Sequence, residues 1–235
     1  VPSPRQEKVL LVVALLLPTV VTLAYFKLVA SASPAVQQGV YGVGKAVQFL
    51  LPVVWVFGVL RRRPRWSWGS GGDALVGVLF GVAVLLVTWF GYSGLAGAEF
   101  MADATTQVRE KVASLGIDRP LAFALVGTFY AAVHSLLEEY YWRWFVFGRL
   151  RDHLPLGWAV AVSSVGFMLH HVLVLATYFS HVPLVAVLLS LCVAVGGGFW
   201  AWLYHRSRSL LGPWLGHLLV DTAIFAVGYR IVFAG

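Results

Sequence analysis

The sequence predicts an all-α fold, a polytopic membrane bundle of about seven transmembrane helices. Three observations carry that expectation. The 235 residues are 60% hydrophobic and only 11% charged, against the roughly 25% charge of a water-soluble domain. Mean hydropathy over the chain is +0.82. Seven apolar runs, near 9–30, 36–60, 74–93, 120–149, 158–179, 182–204 and 212–233, each approach or exceed the about 20 residues that cross a bilayer as a helix.

Taken in order, the first run is too long for a removed secretion signal and lacks the small-residue cleavage site, so it is expected to be a retained span. The second contains Lys45, a cation expected to snorkel or to pair. Residues 61–73, RRRPRWSWGSGGD, read as a linker in which Pro64 and the glycines break helix and the arginines stay wet. The third run carries GVLFG, Gly77 to Gly81, the spacing of a close helix contact. The mixed charges of 94–119 predict a short amphipathic helix on the membrane surface. In the sixth run, the glycines at 196–198 would let another helix or a substrate approach closely. The lone Cys192 there excludes an internal disulfide and any cysteine-rich metal knuckle. No internal repeat interrupts the chain. A single membrane domain over 1–235 follows, with helices lacking any motif in 1–119 and the chemistry-bearing core in 120–235.

Basic residues orient the bundle. Arg5 and Lys8 precede the first span, Arg61 to Arg65 follow the second, Arg149 and Arg151 the fourth, and Arg206 and Arg208 the sixth. All of these fall on one side, which puts the N-terminus in the cytoplasm of a cell whose inner membrane holds the protein. The formal charge of +7 is then a basic face turned to anionic lipid, and nucleic acid is not needed to explain it.

The fourth run raises a question of cost. In HSLLEEYYWRWF, Glu138, Glu139 and Arg143 lie among apolar residues. An ionised side chain at mid-membrane costs about 2.5–3.5 kcal/mol, so three unpaired charges would cost on the order of 6–10 kcal/mol, comparable with the stability of a whole domain. Glu139 and Arg143 are four apart in the favourable order for an ion pair. Glu138, rotated by about 100°, is left over. Such a carboxylate is either neutral or faces a wet cavity with polar partners. Polar interruptions of later spans supply candidates: Ser163, Ser164, His170 and His171 in the fifth, His217 and Asp221 in the last. Counted from the basic side, these groups lie at depths agreeing within roughly 10 Å. His134, one turn before Glu138, is a further contact on the same face, whereas His170 points about 100° from His171 and reads as a helix–helix hydrogen bond. One free carboxylate and two or three imidazoles suit hydrolysis, the acid taking a proton from water while another donor steadies the oxyanion. The same groups also suit Zn²⁺ held by two imidazoles and a carboxylate.

Three short motifs then coincide. EEYYWR reads as EExxxR (Glu138, Glu139, Arg143), FMLHH contains FxxxH (Phe167, His171), and HLLVD reads as HxxxN/D (His217, Asp221). Together, in this order on successive apolar helices, they resemble the CPBP family, the CAAX prenyl endopeptidases of the Rce type and the bacteriocin-processing enzymes. The resemblance covers roughly 120–230. It implies a glutamate-dependent intramembrane endopeptidase in which Glu138 and His171 activate water, and His217 and Asp221 bind the oxyanion or the substrate carbonyl. Glu139 and Arg143 would brace the helix, with Phe167 and His134 in support. It further implies no cofactor, Zn²⁺ being the alternative, and a membrane-anchored protein or peptide as substrate. Asp221 stands where the prenyl proteases usually have Asn; an ionised Asp cannot donate a hydrogen bond, so it would orient His217 unless protonated. The rival classes are a transporter, against which the lack of inverted repeats speaks, and a non-proteolytic immunity protein, against which the intact motifs speak. The coordinates should gather Glu138, His171 and His217 around one cavity.

Overall fold

The computed structural model describes residues 2–63 and 67–234. Among them the chain forms α1 (Pro4–Leu28), α2 (Pro34–Val59), α3 (Gly71–Leu95), α4 (Glu99–Ser114), α5 (Pro120–Arg151), α6 (Leu156–Tyr178), α7 (Pro183–Ser207) and α8 (Leu211–Phe233), with no strand. All but α4 are long and apolar enough to span a bilayer. The bundle is therefore all-α and multi-pass, and α4 is the amphipathic helix expected between the third and fourth spans. Pro64 and Arg65 of the linker lie outside the described residues.

Helix starts follow local chemistry. Ser3, Ser33 and Ser70 accept from the backbone N–H of Gln6, Val36 and Asp73, satisfying donors that a helix leaves open. Proline opens α1, α2, α5 and α7, where its missing N–H costs nothing. α5 is not regular. Its hydrogen-bond ladder widens to π-helical turns over Tyr130–His134 and Tyr140–Phe147, on either side of the α-helical turn Ser135–Glu139. Such turns are rare and gather at functional sites. The Ala132 carbonyl within the first of them accepts the Trp214 indole N–H at 2.9 Å, tying α5 to α8.

Two glycine pairs set the closest packing. A Cβ on Gly77 would lie 2.0 Å from the Gly212 carbonyl oxygen, and one on Gly81 would lie 2.8 Å from that of Gly216. α3 and α8 therefore meet backbone to backbone, as the GVLFG spacing predicts, and the seam ends one residue before His217. The glycines at 196–198 admit a helix rather than a substrate: a Cβ on Gly197 would lie 3.1 Å from Phe167 and 3.5 Å from Ser164, both on α6. α1 is fastened to α5 by a buried hydrogen bond from the Tyr141 hydroxyl to the Ala14 carbonyl, 2.6 Å.

The two ends of the bundle are closed by polar ties. On one, Arg109 of α4 donates to the Ile231 carbonyl at 2.8 Å and Lys111 to Gln37 at 3.4 Å. On the other, Arg206 pairs with Asp73 at 2.8 Å and His153 with Glu7 at 3.2 Å. Between these ends the outward faces are apolar, with Val87, Leu121 and Val195 exposed. The core centres on Tyr141, Trp142, Phe145 and Phe147 of α5.

Candidate active site

Glu139 is fully buried. Its Oε2 lies 3.1 Å from Nε of Arg143, the ion pair expected from their spacing. Its other oxygen accepts the Nδ1–H of His217 at 2.8 Å, a bond between α5 and α8 that no spacing within one helix reveals. The Arg143 guanidinium lies 4.6 Å from the Phe167 ring and 5.2 Å from that of Trp200, where aromatic faces offset part of the cost of burying a cation. Trp200 in turn stacks on His217 at 4.3 Å. Charge, hydrogen bond and ring face together fix the orientation of the His217 imidazole and turn its Nε2 toward Glu138.

Glu138 is held differently. Its Oε1 lies 3.5 Å from Nζ of Lys45, 3.7 Å from Nε2 of His170 and 3.9 Å from Nε2 of His134, and its Oε2 lies 3.9 Å from Nε2 of His217. Four groups on α2, α6, α5 and α8 surround it. Every one of these separations exceeds the about 2.7–2.9 Å of a charge-assisted hydrogen bond. Within its own helix the sequence offered this acid only His134; the tertiary fold adds Lys45, His170 and His217, all of them loose partners.

His171 donates Nδ1–H to the Phe167 carbonyl at 2.9 Å, the role a carbonyl imposes on that nitrogen, which leaves Nε2 as the acceptor. Asp221 places Oδ1 3.7 Å from Nε2 of His217. Phe167 sits among all of them, edge-on to His170, His171 and His217 at 5.6, 4.8 and 6.0 Å. Glu138, His171, His217 and Asp221 thus come together with Glu139, Arg143, Phe167 and His134.

His170 makes a polar contact between helices, its Nε2 on α6 lying 3.7 Å from Oε1 of Glu138 on α5, and its ring lies 4.1 Å from that of His171. Glu138 and His217 are each 4% exposed, so this part of the cluster is closed to solvent. A cavity of about 430 Å³ lies elsewhere, between Glu99, Phe100 and Asp103 on one side and Tyr178 to Val182 on the other. Lys45, which lies outside the three motifs, pairs with Glu138 rather than snorkelling. Its one sequence signal was a cation near the middle of an apolar run.

One nitrogen of His170, one of His171 and one oxygen of Glu138 lie within 4.8 Å of one another. A tetrahedral zinc with about 2.0 Å bonds needs ligand atoms about 3.3 Å apart. The Lys45 ammonium already stands against the carboxylate that would have to neutralise a dication. A metal ion and the Lys45 ammonium would therefore compete for the same carboxylate.

Charges kept this deep by partners from several helices are a functional-site signal, and seven apolar spans around a buried glutamate and imidazoles are compatible with an intramembrane peptidase. Comparison with protein families narrows that class. Residues 120–223, a little under half of the chain, match the family described as type II CAAX prenyl endopeptidase Rce1-like. Through this segment the chain is similar to the Rce1-like CAAX endopeptidases, a protease family. The matched segment contains all three motifs and excludes α1 to α4. No curated protein matches the chain, and no solved structure does.

Proposed function

We propose that the protein hydrolyses a peptide bond in a membrane-anchored substrate, using Glu138 as the general base and no metal. One observation carries this reading. Of two adjacent buried glutamates, Glu139 has both oxygens committed to Arg143 and His217, whereas Glu138 has no short bond. Its carboxylate can therefore accept a proton from water. His171, with Nδ1 already donating to Phe167, offers Nε2 as an acceptor that orients the same water. Attack on the carbonyl carbon moves charge onto its oxygen, and the Nε2–H of doubly protonated His217 stabilises that charge. Glu139 and Asp221 are the counter-charges of this imidazolium, so Asp221 acts through His217 and need not donate. The proton held by Glu138 then passes to the leaving amide nitrogen, giving a carboxylate and an amine.

The family supports a membrane-anchored peptide as substrate. The basic loops support a cytoplasmic N-terminus in the inner membrane, so that bonds near the cytoplasmic face would be cut. The test is cleavage of a farnesylated fluorogenic CAAX-type peptide by the purified protein in detergent. Cleavage lost in Glu138→Gln, with the protein still folded, is the expected result, and normal turnover by that variant excludes this mechanism. o-Phenanthroline should leave the rate unchanged. Inhibition reversed by added Zn²⁺ would establish the metal mechanism in its place.

A further inference from the structure

Lys45 lies outside the matched segment, eleven residues from one end of α2 and fourteen from the other. At about 1.5 Å per residue it is roughly 16 Å from the nearer helix end. A cation at that depth persists only with a counter-charge. Its ammonium is 3.5 Å from Oε1 of Glu138 and stands 5.6 and 5.5 Å from the rings of Tyr41 and Phe49, one turn to either side.

The cluster contains three carboxylates, Glu138, Glu139 and Asp221, and two basic side chains of the Lys and Arg type, Arg143 and Lys45. Arg143 is committed to Glu139 and lies between Phe167 and Trp200. Among the described residues Lys45 is thus the Lys or Arg side chain paired with Glu138. The other groups facing that acid, His134, His170 and His217, are imidazoles, and His217 is already engaged by Glu139 and Asp221.

We infer that Lys45 is a positioning residue of this enzyme: its ammonium keeps the Glu138 carboxylate charged and turned toward the imidazoles, so that α2 completes a site whose reacting groups all lie on α5, α6 and α8. This rests on Glu138 being the base. Without the ammonium, the carboxylate at this depth loses its nearest counter-charge, holds a proton more readily and takes one from water less well. Lys45 touches neither water nor substrate in this role, so its loss slows the chemical step and leaves binding alone.

The experiment compares Lys45→Met, Lys45→Arg and Glu138→Gln in the full-length protein, by steady-state cleavage of the farnesylated peptide and by thermal unfolding in detergent. Lys45→Met should lower kcat by at least about tenfold, a fraction of what a general base contributes, with KM within about twofold. Lys45→Arg, which restores the charge, should recover most of the lost rate. In unfolding, Lys45→Met should cost less in the Glu138→Gln background than in the wild type, because its acid partner is gone. An unchanged kcat in Lys45→Met overturns the inference, as does a loss confined to KM, which would make Lys45 a substrate contact. Equal destabilisation in both backgrounds also overturns it, and should Lys45→Met fail to accumulate, Lys45→Gln is measured in the same two backgrounds with the same outcomes. Activity in Glu138→Gln would instead refute the proposed base, so the two failures are distinguishable.

Discussion

Glu138 and Glu139 are neighbours in sequence and opposites in environment. Glu139 is in a closed circuit: Arg143 at 3.1 Å, His217 at 2.8 Å, and two aromatic faces around the guanidinium. Glu138 is in an open one, with four partners at 3.5–3.9 Å and none closer. The first arrangement offsets part of the cost of a buried charge with an ion pair and one hydrogen bond. The second leaves a buried charge unspent, which is stable only because several elements hold it at once. The difference teaches that burial alone does not identify a reactive group; the length of its bonds does.

The sharpest way to break this comparison is to neutralise each acid in turn. Glu138→Gln should lower the cleavage rate by about 10²–10⁴, the usual contribution of a general base, while circular dichroism shows an intact helical fold. Glu139→Gln should do the reverse in kind, leaving Arg143 unpaired and costing about 3–5 kcal/mol of stability. Thermal unfolding measures this, and activity would fall as well because the His217 imidazolium loses a counter-charge. A Glu139→Gln variant as stable as wild type would erase the contrast. A smaller effect tests how His217 is held. Gly77→Ala, whose Cβ would meet the Gly212 carbonyl, should cost about 1–3 kcal/mol by overpacking and should slow cleavage. Gly39→Ala, with nothing within 4 Å, should do neither. The smallest concerns only the scaffold: Tyr141→Phe removes the hydrogen bond to Ala14 and should cost about 1 kcal/mol with kcat unchanged.

Span positions were legible because apolar length is a direct physical requirement of the bilayer. The Glu139–Arg143 pair was legible because both residues lie on one helix, where spacing dictates distance. What escaped was tertiary. The His217 bond to Glu139 joins residues 78 apart, and Lys45 reaches Glu138 from a helix with no motif. That His170 makes its contact between helices was legible, but its partner Glu138 was not, because rotation about an axis describes where a side chain leaves the helix, not where its ring ends. The widened turns of α5 fall in aromatic, β-branched and small residues without Pro or Gly, so no local breaker announces them. The closed character of the site likewise depends on how α2, α5, α6 and α8 crowd together.

The glycine seam between α3 and α8 also constrains traffic. Two backbones in contact leave no doorway for a polypeptide, and Leu219 shuts the same flank beside Gly81. Asp221, two residues further on and about 200° around α8, keeps its side chain 18% exposed, as Lys45 and His134 keep 12% and 13%. Partial exposure of the cluster therefore lies at those three residues rather than along the seam.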